Sequence, residues 1–111
     1  MRFAKAITKY VRIPPRKARL AAGLIRGLPV EEALVQLDFS RLKGGKLLKK
    51  TLKSAIANAE TQLDARVEKM KVHEVLVDAG PTLKRGKARN RGGMAPILKR
   101  TSHFTVVVAS E

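Results

Sequence analysis

The 111-residue chain has no cysteine and no tryptophan, and its rings are limited to three phenylalanines and one tyrosine. The missing thiols exclude disulfides and thiolate metal sites. So few rings leave it poorly supplied for stacking unpaired bases, unlike many single-strand binders. No apolar run approaches the roughly 20 residues that a bilayer-spanning helix needs. The start of the chain, Met1 to Tyr10, has charges breaking every apolar run and does not read as a secretory signal. A soluble intracellular protein is therefore expected. Acidic residues are scarce as well: nine stand against 24 Lys and Arg, giving a formal net charge of +15.

That imbalance implies a polyanionic partner, nucleic acid first and an anionic membrane surface second. The charges are also segregated. Residues 1–30 hold eight basic side chains and no acid, and residues 79–110 hold seven and no acid. Every acid except Glu111 falls within 31–78, which marks the middle of the chain as the solvent- or protein-facing side. A length of 111 residues suits one domain, and a 44% hydrophobic content supports a modest core.

The most informative stretch runs from Pro81 to Arg100. It contains Lys84, Arg85, Lys87, Arg89, Arg91, Lys99 and Arg100 and no acid. Strand-like segments flank it, Lys69–Ala79 and Thr101–Ala109. So many like charges cannot be buried without a counter-charge, so the stretch should project from the body as the end of an antiparallel hairpin. If pairing continues from Asp78 to near Ala88, the arm reaches about 33 Å at roughly 3.3 Å per residue.

The rest of the chain reads as β-α-α-α-β-β. Phe3–Arg12 is strand-like. Arg16–Arg26 reads as a helix opened by Pro14-Pro15, with Leu20, Ala21, Leu24 and Ile25 inward and Gly27 beyond its end. Pro29–Leu37 forms a second helix, with Glu31 and Glu32 at its positive end and Val30, Leu34 and Leu37 inward. A third helix, capped by Ser40, runs through Leu63. Its apolar face is Leu48, Leu52, Ala55, Ile56, Ala59 and Leu63, and its basic face is Lys43, Lys46, Lys50 and Lys53. Gly44-Gly45 should fray its first turn or delay its start. Met70–Val77 alternates imperfectly, which predicts a bulge or burial on both faces. Phe104, Val106 and Val108 alternate with His103, Thr105 and Val107. The expected fold class is α+β: three helices packed on a three-stranded antiparallel sheet, with a long extended β-hairpin arm. Residues 1–111 make one domain, with a body of 1–80 plus 101–111 and an arm of 81–100.

Phosphate contact is expected for the arm cations and for Arg12, Arg16, Lys17 and Arg19 around the start of the first helix, where no acid competes. Catalysis finds no support. His73 and His103 read as hydrogen-bonded structural residues, and the acids form no acid/base pair. The spacing from Gly80 to Gly86-Lys87 is one residue too long for a phosphate-binding loop, and Ala88 replaces the required hydroxyl. No metal site, cofactor or small-molecule substrate is expected. The rivals are a DNA-architectural protein, a membrane-surface binder whose arm is too polar for the task, and, least of all, an enzyme.

Five stretches then stand together in order: Pro15-Arg16-Lys17-Ala18-Arg19-Leu20 with Leu24-Ile25-Arg26-Gly27; Glu32-Ala33-Leu34; Ser54-Ala55-Ile56-Ala57-Asn58-Ala59-Glu60; Val77-Asp78-Ala79-Gly80-Pro81-Thr82-Leu83-Lys84-Arg85; and Leu98-Lys99-Arg100-Thr101-Ser102-His103 with Thr105-Val106-Val107-Val108. Over nearly the whole chain they resemble the bacterial-type family of large-subunit ribosomal protein twenty-two. The resemblance implies a small α+β body beside the mouth of the peptide exit tunnel. Its arm would line the tunnel near the constriction and the macrolide site, bind large-subunit ribosomal RNA and aid assembly. Carried over by matching residues, the tip is Leu83, Lys84, Arg85, Gly86, Lys87, Ala88, Arg89, Asn90 and Arg91. Lys99 to His103 return the arm to the body. The implied partners are ribosomal RNA, neighbouring large-subunit proteins and the nascent polypeptide. The implied place is the cytoplasmic ribosome, with an organellar source left open.

Overall fold

Phe104, Val106 and Val108 are fully buried, and the strand that carries them forms the centre of the fold. A computed structural model describes residues 1–88 and 92–110, with Lys87, Met94 and Ala95 described by backbone alone. The elements are β1 (Arg2–Val11), α1 (Pro15–Ile25), α2 (Val30–Phe39), α3 (Lys43–Leu63), β2 (Met70–Ala79), β3 (Leu83–Ala88), β4 (Met94–Lys99) and β5 (Ser102–Ser110). A 3₁₀ turn, Val67–Lys69, leads into β2. The main sheet has the order β1-β5-β2 and is antiparallel throughout, while β3 and β4 pair as a separate ribbon. The three helices cover one face of the main sheet, so the α+β class expected from the sequence is the one observed.

The irregular pattern of β2 resolves into a bulge. Val72 lies opposite Val108 and Glu74 opposite Val107, so His73 is the extra residue. The shift brings Met70, Val72, Val75 and Val77 all into the core. A second bulge lies in β1, where Lys9 and Tyr10 oppose the single residue His103. Tyr10 sits there at φ 60°, uncommon for a side chain of its size. Its N–H donates to His103 Nδ1 at 3.1 Å, and the two rings meet edge-on at 5.0 Å.

Three helix details depart from the sequence reading. In α1 the inward residues are Ala18, Ala21, Ala22 and Ile25, whereas Leu20 and Leu24 are exposed. The alanine stripe wins because small side chains let the helix axis approach its neighbours; the leucines lie about 100° or more away on the wheel. Ser40 does not cap α3, whose N-cap is Leu42; its Oγ instead accepts the Leu42 N–H at 3.1 Å within the turn from α2. The start of α3 is indeed late, at Lys43, but Gly44 and Gly45 lie buried inside its first turn and do not fray it. A Cβ on Gly44 would stand 3.2 Å from the Ala18 Cα, so the missing side chain is what lets α3 meet α1.

The outer edge of β2 is occupied. The Gly27 N–H donates to the Val72 carbonyl at 3.0 Å, and the Val72 N–H donates to the Leu28 carbonyl at 2.8 Å. Gly27 makes that turn at φ 79°. Farther along, Arg26 donates through Nε and Nη2 to the Val75 carbonyl at 3.2 and 2.8 Å. On the opposite edge of the sheet, Asn58 Nδ2 of α3 donates to the Lys5 carbonyl at 2.9 Å.

Candidate nucleic-acid interface

The arm begins where the pairing of β2 with β5 stops and that of β3 with β4 starts. Four hydrogen bonds hold this wrist. The Gly80 N–H donates to the Thr101 carbonyl at 3.0 Å, and Thr101 Oγ1 donates to the Pro81 carbonyl at 2.6 Å. Ser102 Oγ donates to the Ile13 carbonyl at 2.6 Å, and His103 Nδ1 takes the Tyr10 N–H described above. Thr101 and Ser102 are buried polar residues, and both hydroxyls are satisfied. Gly80 has no room for a side chain, since a Cβ there would lie 2.5 Å from Thr101 Oγ1.

Beyond the wrist the ribbon pairs Leu83 with Lys99, Lys84 with Leu98, and Arg85 with Ile97. Successive rungs face opposite sides of a two-stranded ribbon. Each of these rungs joins one cation to one apolar residue, so both faces of the arm carry positive charge. Lys84, Arg85, Lys99 and Arg100 are exposed. Pairing continues through Gly86–Pro96, Lys87–Ala95 and Ala88–Met94. The predicted tip residues Arg89, Asn90 and Arg91 lie outside the described residues. The whole molecule is elongated, with extents of 63, 25 and 15 Å.

The second basic group sits at the start of α1. Arg12, Arg16 and Lys17 are exposed there. Arg12 and Lys17 line a cleft of about 390 Å³ with Ile13, Pro14, Leu20, Leu42, Lys43 and Gly44. The cleft joins the α1 cations to the exposed lysine face of α3, Lys43, Lys46, Lys50 and Lys53. Arg19, expected to face phosphate, is exposed and also grips β2: its Nε and Nη2 donate to the Val77 carbonyl at 3.2 and 3.0 Å. Both N–H groups of its Nη1 and the second of Nη2 are left to reach outward. Among the described residues, one ion pair forms between side chains, Lys49 with Asp38, and none of the acids pairs with an interface cation.

The Ser102–Ile13 bond brings the two groups together. Arg12 adjoins Ile13 and Arg100 adjoins Thr101 and Ser102, so the body patch and the return strand of the arm meet at one buried hydrogen bond. His103 is hydrogen-bonded as expected, while His73 packs its ring against Phe3 with centroids 4.8 Å apart. Tyr10 gave no functional signal in the sequence, and Gly80 entered only through a rejected loop spacing and the Val77–Arg85 stretch; their roles arise from a bulge and a close approach that only the register reveals. Among the described residues no cluster of His, Cys, Asp or Glu could hold a metal ion, and no helix is long and apolar enough to cross a membrane.

A family model described as ribosomal protein L22p/L17e matches residues 6–109. The large ribosomal subunit protein uL22 of Protochlamydia amoebophila (strain UWE25) is 73% identical over 110 residues, covering 99% of each chain. The proteins of the same name from Chlamydia abortus and Chlamydia pneumoniae are 59% and 58% identical over 107 residues, covering 96% of each chain.

Proposed function

Because the chain belongs to the ribosomal protein L22p/L17e family, structural constituents of the large ribosomal subunit and not enzymes, we propose that it clamps large-subunit RNA with its arm and its α1 patch while the arm forms part of the peptide exit tunnel wall. It works on the cytoplasmic ribosome, in keeping with its bacterial relatives. The body of 1–80 plus 101–111 and the arm of 81–100 act as one unit, joined at the wrist. The observation that carries the reading is the ribbon itself, which bears a cation on each of its first three rungs, on both faces, with no acid between them.

An insert that must touch RNA on every side needs this design. Charge on one face only would suit a groove; charge on both suits a gap between RNA segments distant in sequence. Phosphate attraction supplies affinity, and the fixed wrist supplies direction. The exposed, uncompensated charges repel one another in the free chain, so RNA is what steadies the arm. Arg12, Arg16 and Lys17 anchor the body on phosphate, with the nascent polypeptide as the arm's other neighbour.

A benzophenone side chain placed at Lys84 tests both halves in purified ribosomes stalled on a nascent chain. Adducts to large-subunit RNA and to the nascent chain are expected. Incorporated chains that yield only protein adducts outside the tunnel would contradict the proposed path.

A further inference from the structure

α2 is built unlike the rest of this basic protein. Its sequence, Val-Glu-Glu-Ala-Leu-Val-Gln-Leu-Asp-Phe, contains three acids and no Lys or Arg, whereas α1 and α3 both carry several cations. Its buried side is Val30, Ala33 and Leu37. At about 100° per residue, Glu32, Val35 and Phe39 fall within about 60° of one another on the far side. Phe39 is 84% exposed and Val35 52%. Glu31, Glu32, Val35 and Gln36 line a shallow hollow on that face.

Glu31 and Glu32 have an ordinary role in the first turn, where the helix dipole favours them. That role accounts for neither the two apolar side chains on the outward line nor the lack of any cation on the helix itself. Asp38 is engaged by Lys49, which leaves Glu31 and Glu32 as the free charges of the face. RNA is repelled by such a surface. A polypeptide whose cations meet the glutamates and whose aliphatic stems cover Val35 and Phe39 fits it.

We infer that the outward face of α2, centred on Val35 and Phe39 and rimmed by Glu31 and Glu32, docks a lysine- and arginine-rich segment of a neighbouring protein of the large subunit. The inference rests on residence in that subunit but not on the arm's path or its RNA contacts. It names the surface and the chemistry of a protein neighbour that the basic faces cannot serve. Two of the acids that the sequence gathers between residues 31 and 78 thereby acquire a use.

The test begins with unaltered, salt-washed large subunits treated with a carbodiimide, which couples a carboxylate directly to a touching lysine amine. Coupling of Glu31 or Glu32 to a lysine of another subunit protein is expected. A benzophenone side chain at Phe39 then covers arginine-rich segments, and because Phe39 is exposed the replacement leaves the core untouched. Its adduct should map to one basic segment, and Glu31→Lys with Glu32→Lys should cut the yield at least fivefold while an RNA adduct from Lys84 is unchanged. An adduct from Phe39 to RNA, no coupling in either experiment, or a yield indifferent to charge reversal would each overturn the inference. Absence of the chain from sedimenting large subunits would sink its residence there, and the docking face with it. A lost Lys84 adduct beside an intact Phe39 adduct would instead count only against the arm's proposed contacts.

Discussion

Ser102 Oγ lies 2.6 Å from the Ile13 carbonyl oxygen, in a site where Ser102 is completely buried. The two residues are 89 positions apart in sequence. Through this bond the turn that presents Arg12 and the strand that receives the arm are fixed relative to each other.

Ser102→Ala should therefore destabilise the free protein. Leaving a buried carbonyl without a donor costs about 1–3 kcal/mol. Thermal melts should show a lower midpoint, by about 5 °C for each kcal/mol in a chain of this size. An unchanged midpoint would mean that the bond holds no strain-bearing position.

Gly80→Val should disturb the wrist more than the body. A Cβ at this position collides with Thr101 Oγ1, whose hydroxyl is committed to Pro81. Hydrogen exchange should quicken at the amides of β3 and β4 and stay slow along the β5 core. Uniform protection in the variant would refute the wrist as the arm's point of fixation.

Lys84→Glu with Arg85→Glu should leave the melting midpoint within about 1 °C, since both side chains are exposed. RNA affinity should fall, and the log–log salt slope should become shallower by roughly 2 using the duplex coefficient. Sucrose gradients of cells expressing only this variant should show depleted large subunits. A slope equal to that of the wild type would remove these residues from the phosphate contacts.

Arg26→Lys and Arg12→Ala should separate structure from recognition. Lysine cannot fork onto the Val75 carbonyl as Arg26 does. Its melting midpoint should drop by a few degrees with the salt slope intact, while Arg12→Ala should lower the slope by about 1 and spare the midpoint. Identical behaviour of the two variants would erase the distinction drawn between edge arginines and interface arginines.

Deleting Leu83–Arg85 removes three rungs of the ribbon and shortens the arm. The globular part should still melt cooperatively, while the response of ribosomes to macrolides should change. Unaltered drug sensitivity with full incorporation would count against the proposed course of the arm.

The architecture was legible because charge and period carried it. The alternation of Phe104, Val106 and Val108 marked the central strand, and a run of cations without a counter-charge had to leave the body. The broken alternation of β2 left a bulge or burial on both faces open, and pairing shows a bulge at His73. Packing of small residues was harder to see. The sequence reading weighted leucine above alanine in α1 and read Gly44 as a weakness, because the value of a small side chain lies in the closeness of a neighbour that the sequence does not display. For the same reason the hold of Arg19 on the Val77 carbonyl was hidden: a wholly free arginine and one partly engaged by a carbonyl look alike until the edge of β2 is in view.

The occupied edge of β2 has a consequence for the life of the protein before assembly. An open strand end of a sheet is a template on which another copy can add, the first step of fibrous aggregation. Along β2 the Val72 N–H and the carbonyls of Val72, Val75 and Val77, which could recruit such a copy, are instead engaged by Leu28, Gly27, Arg26 and Arg19, and Asn58 takes the Lys5 carbonyl on the opposite side. A copy waiting for its RNA thus offers a newcomer less backbone to copy along β2, and mutual charge repulsion keeps the waiting copies apart.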